Sequence, residues 1–254
     1  MIKAISYTLV FVGIQLLASS LVGGILMLTG HSEWLSSPYT AIATMVLFSL
    51  TSLLVFILAH WAVPTKDYLV SRPWAVVFWS VLAALGVVLP SIWMQEHLPE
   101  LPNLLEAELG ELMSVPGGYF VVCLAAPLVE ELVMRGAVLR SLLEWKPEQK
   151  WGMIAISALF FAAIHMNPAQ MPHAFLMGLL LGWMYMRTSS IVPGVAFHWA
   201  NNTVAYLLYR AYPDPKIRLV DILGSEQRSL LAVAFSLCIL LPALYQLYLR
   251  LKKA

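Results

Sequence analysis

The sequence predicts an all-α, polytopic membrane protein with about eight transmembrane helices around a buried polar active site. Three observations predict it. Of the 254 residues, 60% are hydrophobic and only 11% charged, against about a quarter charged in soluble domains. The apolar residues gather into runs near the ~20 residues that a helix needs to cross a bilayer core. The rare charges inside those runs cluster in one place, the stretch LVEELVMRG from Leu128 to Gly136.

The runs follow one another along the whole chain. The first extends from Ile5 to Thr29 behind Lys3. It is too long for the apolar part of a signal peptide, roughly 7–15 residues, and no small-residue cleavage site follows it. Further runs extend from Tyr39 to Val63, Trp74 to Met94, Gly118 to Leu139, Trp151 to His165, Pro172 to Met186, Ile191 to Tyr209 and Leu230 to Leu249. The fifth and sixth are short for a full crossing. Between the third and fourth, Leu101, Leu104, Leu105, Leu109, Leu112 and Met113 fall at helical spacing among glutamates, as in an amphipathic surface helix. Gly178 and Gly182 form a small-xxx-small pair suited to close helix packing. No internal repeat divides the chain. It reads as a single integral membrane domain over 1–254, with a motif-bearing core at about 118–209.

Charge and cysteine content narrow the class. The net charge of +1 excludes a strong nucleic-acid footprint; the expected partner is the lipid bilayer. Cys123 and Cys238 lie in apolar runs and read as buried packing residues. Eight crossings put both termini on one side. That side then holds ten cations: Lys3, Lys66, Arg72, Arg140, Lys146, Lys150, Arg187, Arg250, Lys252 and Lys253. The other side holds four, namely Arg210, Lys216, Arg218 and Arg228. Lys and Arg accumulate in cytoplasmic loops, so the cell membrane with both termini cytoplasmic is expected.

Glu130, Glu131 and Arg135 stand where charge is least welcome. A charge at the bilayer centre costs at least about 2.5–3.5 kcal/mol, and an ionisable cluster there marks a functional site by default. Glu131 and Arg135 are four residues apart and share a helix face, so they can pair. Glu130 is turned roughly 100° away and is left to face something else. Pro127 removes one backbone donor, which deprives the Cys123 carbonyl of its α-helical partner.

Among six histidines, His165 and His198 lie within or at the end of apolar runs. His165 precedes Asn167-Pro168, where helical geometry is disfavoured, so the helix should end near it. His198 and Asn202 are four apart and offer N–H donors on one face, an arrangement suited to a developing oxyanion. Asn201 is rotated off that face and receives no role. His173, just after Pro172, is ambiguous. At 1.5 Å per residue, Glu130, His165 and His198 all fall about 10–21 Å along their helices from the cytoplasmic ends, a common band.

These residues resemble the motifs of a known family. EELVMR at Glu130–Arg135 is similar to EExxxR, FAAIH at Phe161–His165 to FxxxH, and HWANN at His198–Asn202 to HxxxN. Together and in this order they resemble the CPBP intramembrane proteases, that is, type II CAAX prenyl endopeptidases and bacterial relatives linked to bacteriocin processing or immunity. The resemblance implies an intramembrane endopeptidase whose partner is a membrane-associated peptide or protein substrate, lipidated or not. Glu130 and His165 would activate a water, His198 and Asn202 would stabilise the oxyanion, and Glu131 and Arg135 would organise the site. It also implies a polar cavity open to the cytoplasm and needs no cofactor.

Three alternatives stand beside it. Zinc held by Glu130, His165 and His198 would give a metalloprotease, although the chain lacks an H-E-x-x-H helix. A non-catalytic membrane partner or immunity protein could carry the same motifs. A small transporter is disfavoured because no paired broken helices occur in corresponding halves.

Overall fold

A computed structural model describes residues 1–62, 66–214 and 216–252, with side chains undescribed at 66 and 67. Val63, the side chain of Lys66, and Lys253 therefore lie outside the described residues. Among the described residues there is no strand. The order is α1 (Ile2–Leu28), a 3₁₀ turn (Ser32–Trp34), α2 (Pro38–Leu58), α3 (Lys66–Val70), α4 (Trp74–His97) and α5 (Glu106–Ser114). A π-helical segment (Phe120–Ala125), α6 (Ala126–Val133), a second π segment (Met134–Leu139) and α7 (Arg140–Trp145) then form a continuous series. α8 (Lys150–Ile164), α9 (Met171–Thr188), α10 (Val192–Ala211), α11 (Leu219–Leu223) and α12 (Glu226–Arg250) complete the chain.

Every expected apolar run is helical, but the runs are not equivalent. Among the described residues four helices, α1, α2, α4 and α12, are long and apolar enough to cross a membrane. They make this a membrane protein. The fourth run is the π–α–π–α series, α8 is a shorter apolar helix, and α9 and α10 carry more polar and small residues. The amphipathic segment is realised as α5, with Leu112 buried; Leu101 and Leu104 precede the helix and are exposed.

Small residues set the closest helix contacts. A Cβ on Gly178 would lie 2.8 Å from Ala158, and one on Gly182 would lie 2.8 Å from Ile154, so this glycine pair seats α9 on α8. α4 meets α12 in the same way. A Cβ on Gly86 would stand 2.6 Å from the Leu240 nitrogen, and the Ser236 hydroxyl donates to the Gly86 carbonyl at 3.1 Å. Where lipid is as apolar as the side chains, such close packing and interhelical hydrogen bonds take over the work of hydrophobic burial. Cys123 is buried as expected, but Cys238 is exposed. It sits on the outer face of α12, which a helix at the rim of a bundle turns to lipid.

The bundle has two distinct ends. At one, Arg140 Nη2 donates to the Trp61 carbonyl (2.9 Å) and Arg187 Nε to the Leu251 carbonyl (3.1 Å). This end gathers the start of α1 and the end of α12. At the other, Arg210 Nη1 donates to the Ser114 carbonyl (2.7 Å) and the Leu219 amide to Glu96 Oε1 (2.7 Å). The ends of α4, α8 and α10 meet there beneath α5.

Candidate active site

The stretch from Phe120 to Leu139 presents the charged cluster, and its backbone is irregular on both sides. The Ala126 amide donates five residues back, to Val121. In that register the next donor would serve Val122, but it is Pro127 and has no N–H. The orphaned carbonyl is therefore that of Val122, not of Cys123 as the α-helical register predicts. Asn202 fills the gap: its Nδ2 donates to the Val122 oxygen at 3.0 Å. On the far side, the Arg140 amide donates to the Arg135 carbonyl, again five back. π turns of this kind concentrate at functional sites.

α6 carries the two glutamates between these irregularities. Arg135 Nη1 lies 2.8 Å from Glu131 Oε1, and both side chains are almost fully buried. The pair is close, although its N–H is not aligned for a full hydrogen bond. Glu131 has a second partner: His198 Nδ1 lies 3.3 Å from Oε1. A carboxylate in an ion pair accepts, so His198 donates from Nδ1. Its Nε2 then lies 3.8 Å from Glu130 Oε2. Arg135, Glu131 and His198 thus form a relay that ends beside Glu130.

Gly194 makes that approach possible. A Cβ there would stand 2.7 Å from Glu131 Oε2, inside contact distance. Phe161 is the other hidden support. Its ring lies 4.2 Å under the Arg135 guanidinium and meets His165 and His198 edge-on, with centroids 4.9 and 5.8 Å apart. The phenylalanine of FxxxH is therefore a hub between the charged pair and both histidines.

His165 caps α8 where expected. Its Nδ1 lies 2.7 Å from the Phe161 carbonyl, which can only accept, so Nδ1 carries the proton and Nε2 is left as the basic nitrogen. The following residue, Met166, has φ 51°, a left-handed conformation uncommon outside glycine. Asn167, fully buried, holds this turn. It donates to Asn103 Oδ1 (2.8 Å) and accepts from the Leu104 amide (3.0 Å), so the segment after α4 is fastened to the His165 turn.

A cavity of about 330 Å³ joins these groups; Glu130, His165, His198 and Asn202 all line it. Glu131 and Arg135 lie behind its wall. Two further residues enter. Asn201 lines the cavity although it is rotated off the face shared by His198 and Asn202; the cavity wraps around α10 far enough to meet both amides. His173 lines it as well, with Nδ1 2.5 Å from the Ser91 hydroxyl. The sequence signal for His173 was its place one residue after Pro172, at the start of a helix. A second cavity of about 470 Å³ shares Glu130 and His165 and continues between α1 and α2 along Gln15, Ser19 and Thr44.

The main cavity leads from Glu130 and His198 toward Gln95, Leu109 and Met113, the end of the bundle under α5. It leads away from the end that holds both termini. Cytoplasmic termini and a cavity open to the cytoplasm are therefore incompatible expectations. Among the described residues, no three His, Cys, Asp or Glu side chains stand close enough to hold a metal ion, so Glu130, His165 and His198 do not form a ligand triad here.

No curated protein and no solved structure matches the chain. Residues 113–204 match the family described as type II CAAX prenyl endopeptidase Rce1-like. The matched span begins at the end of α5 and ends two residues after Asn202, so it contains all three motifs. Over this segment the chain is similar to the type II CAAX prenyl endopeptidases, in keeping with the family that its three motifs resemble.

Proposed function

We propose that the protein is an intramembrane endopeptidase that cleaves a peptide bond of a membrane-associated substrate with a water activated by Glu130 and His165. The observation that carries this reading is the shared cavity: Glu130, His165, His198 and Asn202 line one space, on three separate helical stretches. In the proposed reaction Glu130 and the free Nε2 of His165 take a proton from water as its oxygen bonds to the scissile carbonyl carbon. The resulting oxyanion is met by His198, which as an imidazolium donates from Nε2 while Nδ1 stays on Glu131, and by the second amide hydrogen of Asn202, the first being given to Val122. Collapse breaks the C–N bond, and the proton taken from water passes to the leaving amine. Glu131 and Arg135 hold His198 with Nε2 toward the reacting groups. No step runs through a metal or other cofactor.

The remaining apolar helical stretches complete eight crossings, with both termini in the cytoplasm of a cell-membrane protein; the ten-to-four partition of Lys and Arg supports this orientation. The test is substrate trapping. Membrane peptides that accumulate with Glu130→Gln are identified by mass spectrometry and offered to purified wild-type protein in liposomes. Cleavage by wild type, none by Glu130→Gln and no effect of 1,10-phenanthroline is the expected result. Cleavage abolished by the chelator and restored only by metal would overturn the mechanism. Full cellular function of the Glu130→Ala, His165→Ala and His198→Ala variants would overturn the enzyme reading in favour of a non-catalytic partner.

A further inference from the structure

We infer that the catalytic cavity opens to the non-cytoplasmic side of the membrane, so that its substrates are polypeptide segments exposed on that side rather than cytoplasmic prenylated C-termini. The inference rests on the proposed active site. Its own basis is independent of the motifs and joins two observations.

The first is direction. The cavity extends from Glu130 to Leu109 and Met113 under α5, and this end of the bundle is tied together by the Arg210–Ser114 and Leu219–Glu96 contacts. The start of α1 and the end of α12 lie at the opposite end.

The second is charge. Lys and Arg within short loops set orientation because they resist translocation. The end with the termini carries ten Lys and Arg against three Asp and Glu; the cavity end carries four against nine. The asymmetry does not depend on the terminal segments. Three of the four connections at the cavity end, residues 29–37, 98–117 and 165–170, contain no Lys or Arg at all. The cations there are confined to the fourth, between α10 and α12. If the cavity faced the cytoplasm, the cation-rich loop around Arg140, Lys146 and Lys150 would have to be translocated while the cation-free loops stayed inside. The bias runs strongly against that arrangement.

The consequence for substrate is chemical. A scissile bond can reach Glu130 only from the space the cavity joins. Glu106, Glu108 and Glu111 on α5 are exposed at this end, while Leu109 and Met113 of the same helix line the cavity.

Cysteine accessibility tests this. In a background with Cys123→Ala and Cys238→Ala, single cysteines are placed by Glu108→Cys on exposed α5, Met113→Cys at the cavity and Glu148→Cys at the exposed opposite end. Intact cells are treated with a charged, membrane-impermeant maleimide. Glu108→Cys and Met113→Cys should label in intact cells, and Glu148→Cys only after permeabilisation. The reverse pattern would overturn the proposal, as would a Met113→Cys that stays unlabelled while Glu108→Cys labels. Failure of the peptidase reading looks different: labelling as expected, with Glu130→Gln still cleaving.

Discussion

The four helices that look most like membrane spans carry none of the motif residues. α1, α2, α4 and α12 are long and apolar. Glu130, Glu131 and Arg135 lie on α6 and the π segment after it, His165 caps α8, and His198 and Asn202 are on α10. The division has a physical reason. Side chains that only meet lipid need length and apolarity. Side chains that do chemistry need charge, which must be partnered inside the bundle and is expensive in hydrocarbon. The outer helices supply the wall, and the inner ones supply irregular backbone, glycine and buried ion pairs.

Substitutions on the two sets should separate sharply. The largest effect is expected for Glu130→Gln, which keeps the shape but removes the proposed base. Cleavage should fall by at least the ~10²–10⁴-fold typical of lost acid–base catalysis, with thermal unfolding in detergent unchanged. Glu131→Ala comes next and strikes stability too. It leaves Arg135 buried without its partner, a change that costs about 3–5 kcal/mol. The Glu131→Leu/Arg135→Met double variant should unfold later than Glu131→Ala alone yet remain inactive, because His198 has lost its anchor. Gly194→Ala should cost about 1–3 kcal/mol through overpacking and lower cleavage by displacing the Glu131 carboxylate. Phe161→Leu removes the ring beneath Arg135, worth about 0.5–2 kcal/mol; denaturation midpoint and turnover together should show it. Least of all, Phe235→Leu on the exposed face of α12 should stay within about 0.5 kcal/mol. A large loss of activity there would break the contrast between wall and site.

Much of this was legible in the residues, for reasons that also mark the limit. Helix positions follow from apolar length, so all the expected runs appear. The Glu131–Arg135 pair follows from helical spacing, and the α8 terminus at His165 follows from Asn167-Pro168. Backbone register was not legible. Pro127 announced a missing donor, but the π turn moved the orphan from Cys123 to Val122, and the partner, Asn202, is 80 residues away in sequence. Helical spacing pairs Glu131 with Arg135 alone, yet Glu131 also anchors His198; a pairing between distant helices leaves no periodic trace. Gly194 carries no signal in the sequence, and the approach of Glu131 explains it. Asn201 fell off the expected face because the cavity covers more of α10 than a single stripe. Loop charge carried information about orientation, while the side to which the cavity opens required the packed bundle.

The central claim is that the adjacent glutamates have different jobs: Glu130 acts on water, and Glu131 holds His198. One paired measurement tests it most directly. Purified Glu130→Gln and Glu131→Gln are compared in liposomes for cleavage of a trapped peptide and in detergent for thermal unfolding. Glu130→Gln should be inactive with a wild-type unfolding temperature, and Glu131→Gln should be both less stable and impaired. Cleavage retained by Glu130→Gln, or equal destabilisation of the two variants, would contradict the account.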